Sequence, residues 1–425
     1  MWDKLKSIWQ VKEVRNGLLF VIVMMVIFRI AANIPLPGID LVALQRFFDS
    51  NQALGMLNLF SGGTMRTFSI VAMGVAPYIT ASIIFQLLGM IVPRIEEIQK
   101  EGEAGQRRIN QWTRWLTIPL AILQSFSLLS LMRQSQVQIL RDTSALHIAV
   151  IVFGATAGTV FLMWIGELIS EKKVGNGVSL MIFAGILASL PTAVSQFMAT
   201  YDSSQLFYVL LYAAIAILTV VGVVFVTEGQ RNVPVQYARQ TRGMSASVGG
   251  VTSSLPLRVN MVGVIPIIFA ISLLILPSIV AQFLTRAKTL WIENAARWII
   301  VTLQNQWVYG IAYFLLVVGF TYFYTAVVFH PEQVAENLQK QGGFIPGIRP
   351  GKPTSDYLQN IIQRITLGGA LFLGLIAVLP VIVQGFSGTR SLALGGTSLL
   401  IVVSVVIESV KQIESQLTMR EYDAY

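Results

Sequence analysis

Gly74-Val-Ala-Pro-Tyr-Ile79 and Gly263-Val-Ile-Pro-Ile-Ile268 carry Gly, Val, Pro and Ile at the same offsets. A second pair follows in the same order: Gly177-Val-Ser-Leu-Met-Ile182 and Gly396-Thr-Ser-Leu-Leu-Ile401 share Gly, Ser, Leu and Ile. Each match alone is weak, because short apolar strings coincide by chance. Two matches in one order, in apolar segments at corresponding places of two halves, point to a duplicated fold. Gly and Pro at matching places inside apolar spans mark a site near the bilayer midplane, between two repeats.

Working outward, hydrophobic residues make up 54% of the 425 and charged residues 12%. Apolar runs of about 18 residues or more recur throughout, which excludes a soluble globular domain and reads as a polytopic membrane protein. There is no Cys, so disulfides, thiol catalysis and a Cys metal site are excluded and redox compartment is not legible. Met1 to Gly17 is basic but mixed, and no small-residue cleavage site follows the first apolar run, so that run reads as a retained span. Trp2, Leu5, Ile8 and Trp9 share a helical face beside Lys4, Lys6 and Lys12, as in a helix lying on the membrane surface.

Ten helices, each about long enough for a ~30 Å hydrocarbon core, are expected over Leu18–Pro35, Met73–Val92, Leu116–Leu131, Ile148–Gly166, Val178–Phe197, Leu206–Val226, Met261–Phe283, Val308–Val328, Ile365–Val383 and Leu392–Ile407. The N-terminus, the connections after even-numbered spans and the C-terminal tail hold about twenty Lys and Arg against about eight on the other face, which puts both termini in the cytoplasm. Five spans per half is an odd number, so equivalent helices cross in opposite directions, the mark of an inverted repeat. The halves fall at residues 18–200 and 201–412, between a surface helix at 1–17 and a tail at 413–425. The fold class expected is all-α, ten spans in two inverted halves.

Gly55 to Ile70 belongs to an external loop, yet it is too apolar to sit comfortably in water, and Gly62 and Gly63 interrupt any helix there. Non-spanning backbone at membrane depth is tolerated only inside protein or in a water-filled cavity, so a short movable stopper is one reading and a packed extracellular cap is the other. On the opposite face, Val233 to Tyr237 partly alternates and Ser247 to Val259 is rich in β-branched residues, which predicts a protruding hairpin within 228–260 with Arg239 and Arg242 at its tip. Within 330–364, Gly343-Phe-Ile-Pro-Gly-Ile-Arg-Pro-Gly-Lys-Pro353 makes a stiff turn that presents Arg349. Such basic loops serve at least as orientation signals; two long ones on one face also suit docking to RNA or to an acidic protein.

Catalysis needs a nucleophile with a base, a metal cluster or a carboxylate pair, and none is visible. His147 and His330 lie about a membrane thickness apart and cannot share a metal. Arg29, Glu167 and Glu408 lie toward span ends, so the intramembrane Asp, Glu or His relay of an ion-coupled carrier is missing, although backbone carbonyls at Gly/Pro breaks remain able to bind sodium. No ATP-binding signature of the GxxxxGK[ST] kind occurs. The chain therefore reads as no enzyme, with no catalytic, cofactor or metal site. The repeated motifs supply branched apolar groups instead. Ile at helical spacing in a membrane is ordinarily plain packing. Beside the Gly and Pro interruptions of related helices, Val75, Ile79, Val178, Ile182, Ile268 and Ile401 form a constriction that excludes ions by dewetting and has no hydrogen-bonding group with which to select a small solute.

At these residues the sequence resembles SecY, the channel subunit of the bacterial protein translocase, over essentially the whole chain. NLFSGG at Asn58 to Gly63, APYITASII at Ala76 to Ile84, EGEAGQRR at Glu101 to Arg108, GNG at Gly175 to Gly177, LPLRVNMVGVIP at Leu255 to Pro266, NLQKQGGFIPGIRPG at Asn337 to Gly351 and GGTSLLIVV at Gly395 to Val403 carry the likeness. The resemblance implies an hourglass pore with the six aliphatic residues as its ring. It also implies a plug helix around Met56, Asn58, Phe60, Gly62, Gly63 and Phe68, and a lateral gate including Thr80, Ile83, Gln86, Ser272 and Leu276. Arg239, Arg242 and Arg349 then resemble contacts for the SecA motor and the ribosome. SecE and SecG are the implied small subunits, secretory preproteins and signal peptides the implied cargo, membrane lipid the implied surroundings, and the bacterial cytoplasmic membrane the implied location. Rings in this family are usually Ile-rich, and two positions here are Val. An inverted-repeat solute transporter and an intramembrane enzyme are the competing readings.

Overall fold

The computed structural model describes residues 9, 11–50, 61, 63–65, 67–134, 139–140, 144–200, 206–237, 251–285, 289–387 and 396–423. In chain order the helices are α1 (Lys12–Ala32), α2 (Leu41–Ser50), α3 (Ala76–Ile91), α4 (Pro93–Lys100), α5 (Glu103–Gln134), α6 (Ala145–Glu171), α7 (Gly177–Thr200) and α8 (Leu206–Glu228). Strands β1 (Gln230–Tyr237) and β2 (Val251–Arg258) follow, then α9 (Ile265–Leu284), α10 (Leu290–Gln304), α11 (Gln306–Val328) and α12 (Pro331–Lys340). A short β3 (Gly343–Phe344), α13 (Lys352–Ser387) and α14 (Gly396–Asp423) complete the chain.

Each of the ten apolar segments falls on a helix. Among the described residues α1, α6, α11 and α13 are long and apolar enough to cross a membrane alone, and α3 with α4 makes a fifth as a pair bent by 108°. The bend has a local cause: Pro93 follows Val92, whose extended backbone (φ −105°, ψ 108°) ends α3, and α4 is too polar to continue a span. Of the surface helix expected over Met1 to Gly17, residues 1–8 and 10 lie outside the described ones, and Lys12 to Gly17 are already the first turns of α1. Three helices overrun their predicted spans furthest, and of these α5 begins at Glu103, not Leu116. α13 begins at Lys352, not Ile365, and α14 continues to Asp423, into the segment read as a tail.

The chain divides into two compact units, one of Met1–Tyr208, Ser272–Leu303 and Val405–Tyr425, the other of Val209–Ile271 and Gln304–Ser404. In the first, α3 packs on α5, α5 on α6 and α6 on α7. One core cluster lies where α2, α5 and α6 meet the segment after Thr64: Leu44, Met65, Phe68, Ala72, Met73, Leu129, Met132 and Ile151 are all buried there. In the second unit Gly310 faces Val378 and Val381 while Phe314 and Val318 face Gly374, so α11 and α13 run antiparallel.

The second unit also holds the predicted hairpin. β1 and β2 pair antiparallel from Gln230↔Arg258 to Tyr237↔Val251, and β3 joins the other side of β1 through Gln236↔Phe344 and Tyr237↔Gly343. The 330–364 loop is therefore not separate from the 228–260 loop. Val233, Val235 and Leu257 from the hairpin share one core with Leu338, Ile345, Leu358, Ile361 and Ile362. Each such buried side chain contributes about 1.5–3 kcal/mol, and eight of them give the sheet the apolar support that an isolated hairpin lacks. This core is also why α13 starts early: its first turns belong to this platform.

Candidate functional site

The repeated motifs fold alike. Gly74 and Gly263 both adopt the left-handed conformation, with φ +58° and +65°. In each case the following Val ends the turn, the helix starts one residue later, and Pro77 or Pro266 occupies its first turn, where the missing N–H costs nothing. The first hydrogen bonds match as well, Ile79 N donating to Val75 O at 3.0 Å and Ile268 N to Val264 O at 3.3 Å. The turns are held differently. Gly263 N donates to Asn260 Oδ1 (3.0 Å), whereas Gly74 N donates to Val71 O (2.8 Å). The second pair agrees again: Gly177 and Gly396 are the first residues of α7 and α14. Asn176 caps α7, accepting from Ser179 N on its side chain (3.2 Å) and from Leu180 N on its carbonyl (2.9 Å).

The expected constriction residues thus sit at matching offsets of helix starts. Val75, Ile79, Ile182, Ile268 and Ile401 are 1–7% exposed and Val178 is half-buried. Outer-face residues such as Ile91 and Phe225 stand at 76% and 78%. The repeat also assigns Val264, 2% exposed, to the place of Val75, a position the composition of the motifs did not single out.

Of the stopper segment, Met56, Asn58, Phe60 and Gly62 lie outside the described residues. Gly63 takes φ +81°, and Phe68 takes φ +38° with its ring 2% exposed. What is described after Gly63 is stitched down. Phe68 O accepts from Leu36 N (2.9 Å), Ile70 N donates to Ile34 O (2.9 Å), and Thr67 Oγ1 donates to Ala32 O (3.0 Å). Thr64 Oγ1 donates to Ser61 O at 2.7 Å. A Cβ on Gly74 would lie 2.8 Å from Ser61 Cα, and one on Gly158 would strike the Ile70 carbonyl. The root of the segment is thereby wedged between the first repeated turn and α6.

On the gate positions, Ile83 is buried, Thr80 is half-buried with Oγ1 donating to Ala76 O (3.0 Å), and Gln86 Nε2 donates to Ser82 Oγ (3.3 Å). Gln86 Oε1 is buried and has no partner among the described residues. Ser272 is half-buried on α9, and the Leu276 side chain lies outside the described residues. Sequence reading left Glu167 alone near a span end. Its Oε1 accepts from Arg114 Nε at 2.6 Å, joining α6 to α5, a pairing across 53 residues that no local pattern announces.

On the platform, Arg349 is exposed, flanked by Gly347 (φ +81°) and Gly351 (φ +98°). The turn is held from beneath by the buried Ile345, whose carbonyl accepts from Ile348 N (3.0 Å), and by Thr354 Oγ1, which donates to Arg349 O (2.9 Å). Arg231, Arg258 and Lys352 are exposed on the same unit, and Arg239 and Arg242 lie outside the described residues. Nearby, Lys340 Nζ stands 2.8 Å from Glu336 Oε1 and holds that carboxyl below its ordinary range. At the α6–α7 turn, Lys173 takes φ +54°, and its carbonyl accepts from Gln416 Nε2 of α14 at 2.7 Å. Among the described residues no three of His, Cys, Asp and Glu are grouped to hold a metal.

Residues 69–410 match the SecY family. The chain is 43% identical over 430 residues to the protein translocase subunit SecY of Streptomyces galbus, covering 97% of each chain. It is 44% identical over 435 residues to that of Halalkalibacterium halodurans, covering 100% of both. Among solved structures, one of a protein-conducting channel has a TM-score of 0.64 at 17% identity, covering 93% of this chain and 91% of that one. Sec61 in the canine ribosome–channel complex from the endoplasmic reticulum has a TM-score of 0.61 at 15% identity, covering 93% and 91%. The structures bear on the fold and the close relatives on the family. The chain belongs to the SecY family, the membrane-embedded channel subunits of the protein translocase.

Proposed function

We propose that this protein-conducting subunit passes unfolded polypeptide through a ring of Val75, Ile79, Val178, Ile182, Ile268 and Ile401, with the segment around Met56 to Phe68 as its stopper. The observation that carries this reading is the pair of left-handed glycine turns, which set buried aliphatic groups at the same offset of two related helix starts. An apolar ring seals against ions by dewetting and is indifferent to side-chain chemistry passing through it. The sequence carries no GxxxxGK[ST] signature, and in this reading thrust comes from partners. SecA or the ribosome docks on the platform at Arg349 and on the Arg239 and Arg242 loop, and SecE and SecG complete the channel. The platform then faces the cytosol, with both termini on that side of a bacterial cytoplasmic membrane, as the loop charges support.

Sideways release follows from partitioning at a gate lined by Thr80, Ile83, Gln86, Ser272 and Leu276. About 20 apolar residues at roughly −0.3 to −0.6 kcal/mol each favour lipid by roughly 6 to 12 kcal/mol, and each central charge opposes this by about 2.5 to 3.5 kcal/mol. Signal peptides and membrane segments exit to lipid, and polar chains continue across. The test is a stalled secretory chain with photoreactive side chains placed at Ile79 and at Ile268. Crosslinks to the threaded chain from both positions support the ring. Crosslinks from neither, together with saturable uptake of a small solute, would make the protein a transporter instead.

A further inference from the structure

The reading by apolar runs passes over α10. Its Leu290, Trp291, Trp298 and Val301 are 74%, 77%, 69% and 66% exposed, and helical spacing puts them on one face. The opposite side is anchored by Ala296, 1% exposed, and an ion pair between Arg297 Nη2 and Glu293 Oε1 (2.7 Å) runs along the flank.

Chain continuity limits what covers the open face. A single residue, Asn305, separates α10 from α11, and its side chain caps α11 by accepting from Trp307 N at 3.0 Å. α11 is long and apolar enough to cross a membrane, and α10 is tied by short links to it at one end and to the apolar α9 at the other, which holds both ends of α10 near a membrane boundary. The platform element α12 follows the other end of α11. Trp307, 58% exposed in the first turn of α11, adds a third indole at that boundary. Indole concentrates where headgroups meet acyl chains, because its ring is apolar while its N–H needs a polar partner.

We propose that α10 is an interfacial anchor whose Trp291 and Trp298 face is seated in the headgroup–acyl boundary of the leaflet where α11 begins. Its ligand is phospholipid, not protein. The five-residue link 285–289 ties it to α9, which carries Ser272 and Leu276. On the gate reading given above, α9 is then free to slide in the membrane plane, while rising or sinking would pull two indoles out of their preferred layer.

The absence of Cys makes the test clean. Single variants Trp298→Cys and Ala295→Cys on the open face, with Arg349→Cys as the aqueous reference, are spin-labelled in the full chain assembled with its small subunits in vesicles of phosphatidylethanolamine and phosphatidylglycerol. Accessibility to oxygen, which favours lipid, is compared with accessibility to a water-soluble nickel chelate. Both face positions should show an oxygen-to-nickel ratio several-fold above that of Arg349→Cys. A ratio equal to the reference places the face in water, and protection from both reagents places it against protein; either overturns the proposal. Neither outcome bears on polypeptide conduction, which the crosslinks at Ile79 and Ile268 test separately.

Discussion

Gly74 and Gly263 make the same turn in different company. Their φ values differ by only a few degrees, yet a side chain on Gly74 would meet Ser61 backbone, and one on Gly263 would meet nothing within 4 Å among the described residues. A duplicated turn has therefore been kept twice for its shape and used once for something more. In the first unit it packs against Ser61, at the root of the apolar segment that follows α2; in the second it starts a helix without such a contact among the described residues. The asymmetry separates what the helix start requires from what the packing on Ser61 adds.

The largest effect expected comes from removing that root. Deleting Met56 to Phe68 takes away the buried Met65 and Phe68, worth about 1.5–3 kcal/mol each, and the carbonyl that accepts from Leu36 N. Both ion leakage and a lowered unfolding temperature should follow in reconstituted channels. Stopping the deletion at Phe60 spares these contacts and Ser61, so leakage should rise with the unfolding temperature nearly unchanged. Unchanged conductance in both would remove the stopper from the segment.

Next comes Gly74→Ala, which combines left-handed strain with overpacking against Ser61 and should cost about 2–6 kcal/mol. Gly263→Ala has strain alone, about 1–2 kcal/mol. Thermal unfolding of the two variants in one detergent measures the difference directly, and equal losses would dissolve the contrast between the turns. The smallest effect on stability belongs to Arg349→Glu. The turn there is held by Ile345, Thr354 and two glycines, so unfolding should be unaffected while motor-driven translocation into vesicles slows. A normal rate would take Arg349 off the docking surface.

Much of this was legible from residues. Each expected apolar run falls on a helix, and among the described residues four of these, or five with the bent α3–α4 pair, are long and apolar enough to cross a membrane. The shared Gly and Pro offsets foretell the two turns, since few residues tolerate a left-handed step followed by a helix start. The hairpin of β1 and β2 shows in its alternation. The platform does not, because its core joins Val233 to Leu358 and Tyr237 to Gly343, contacts made across more than a hundred residues. The pairing of Arg114 with Glu167 is hidden for the same reason. α10 is hidden for another: it is 15 residues long, and Glu293, Asn294 and Arg297 break its apolar run, so it is too short and too interrupted to read as a span.

The bond from Gln416 to Lys173 carries a mechanical consequence. Lys173 is held at φ +54°, a posture a lysine rarely keeps unaided, and four residues later α7 begins with Gly177 and Val178. One amide thus ties the last helix to the turn that leads into α7, the helix carrying Val178 and Ile182.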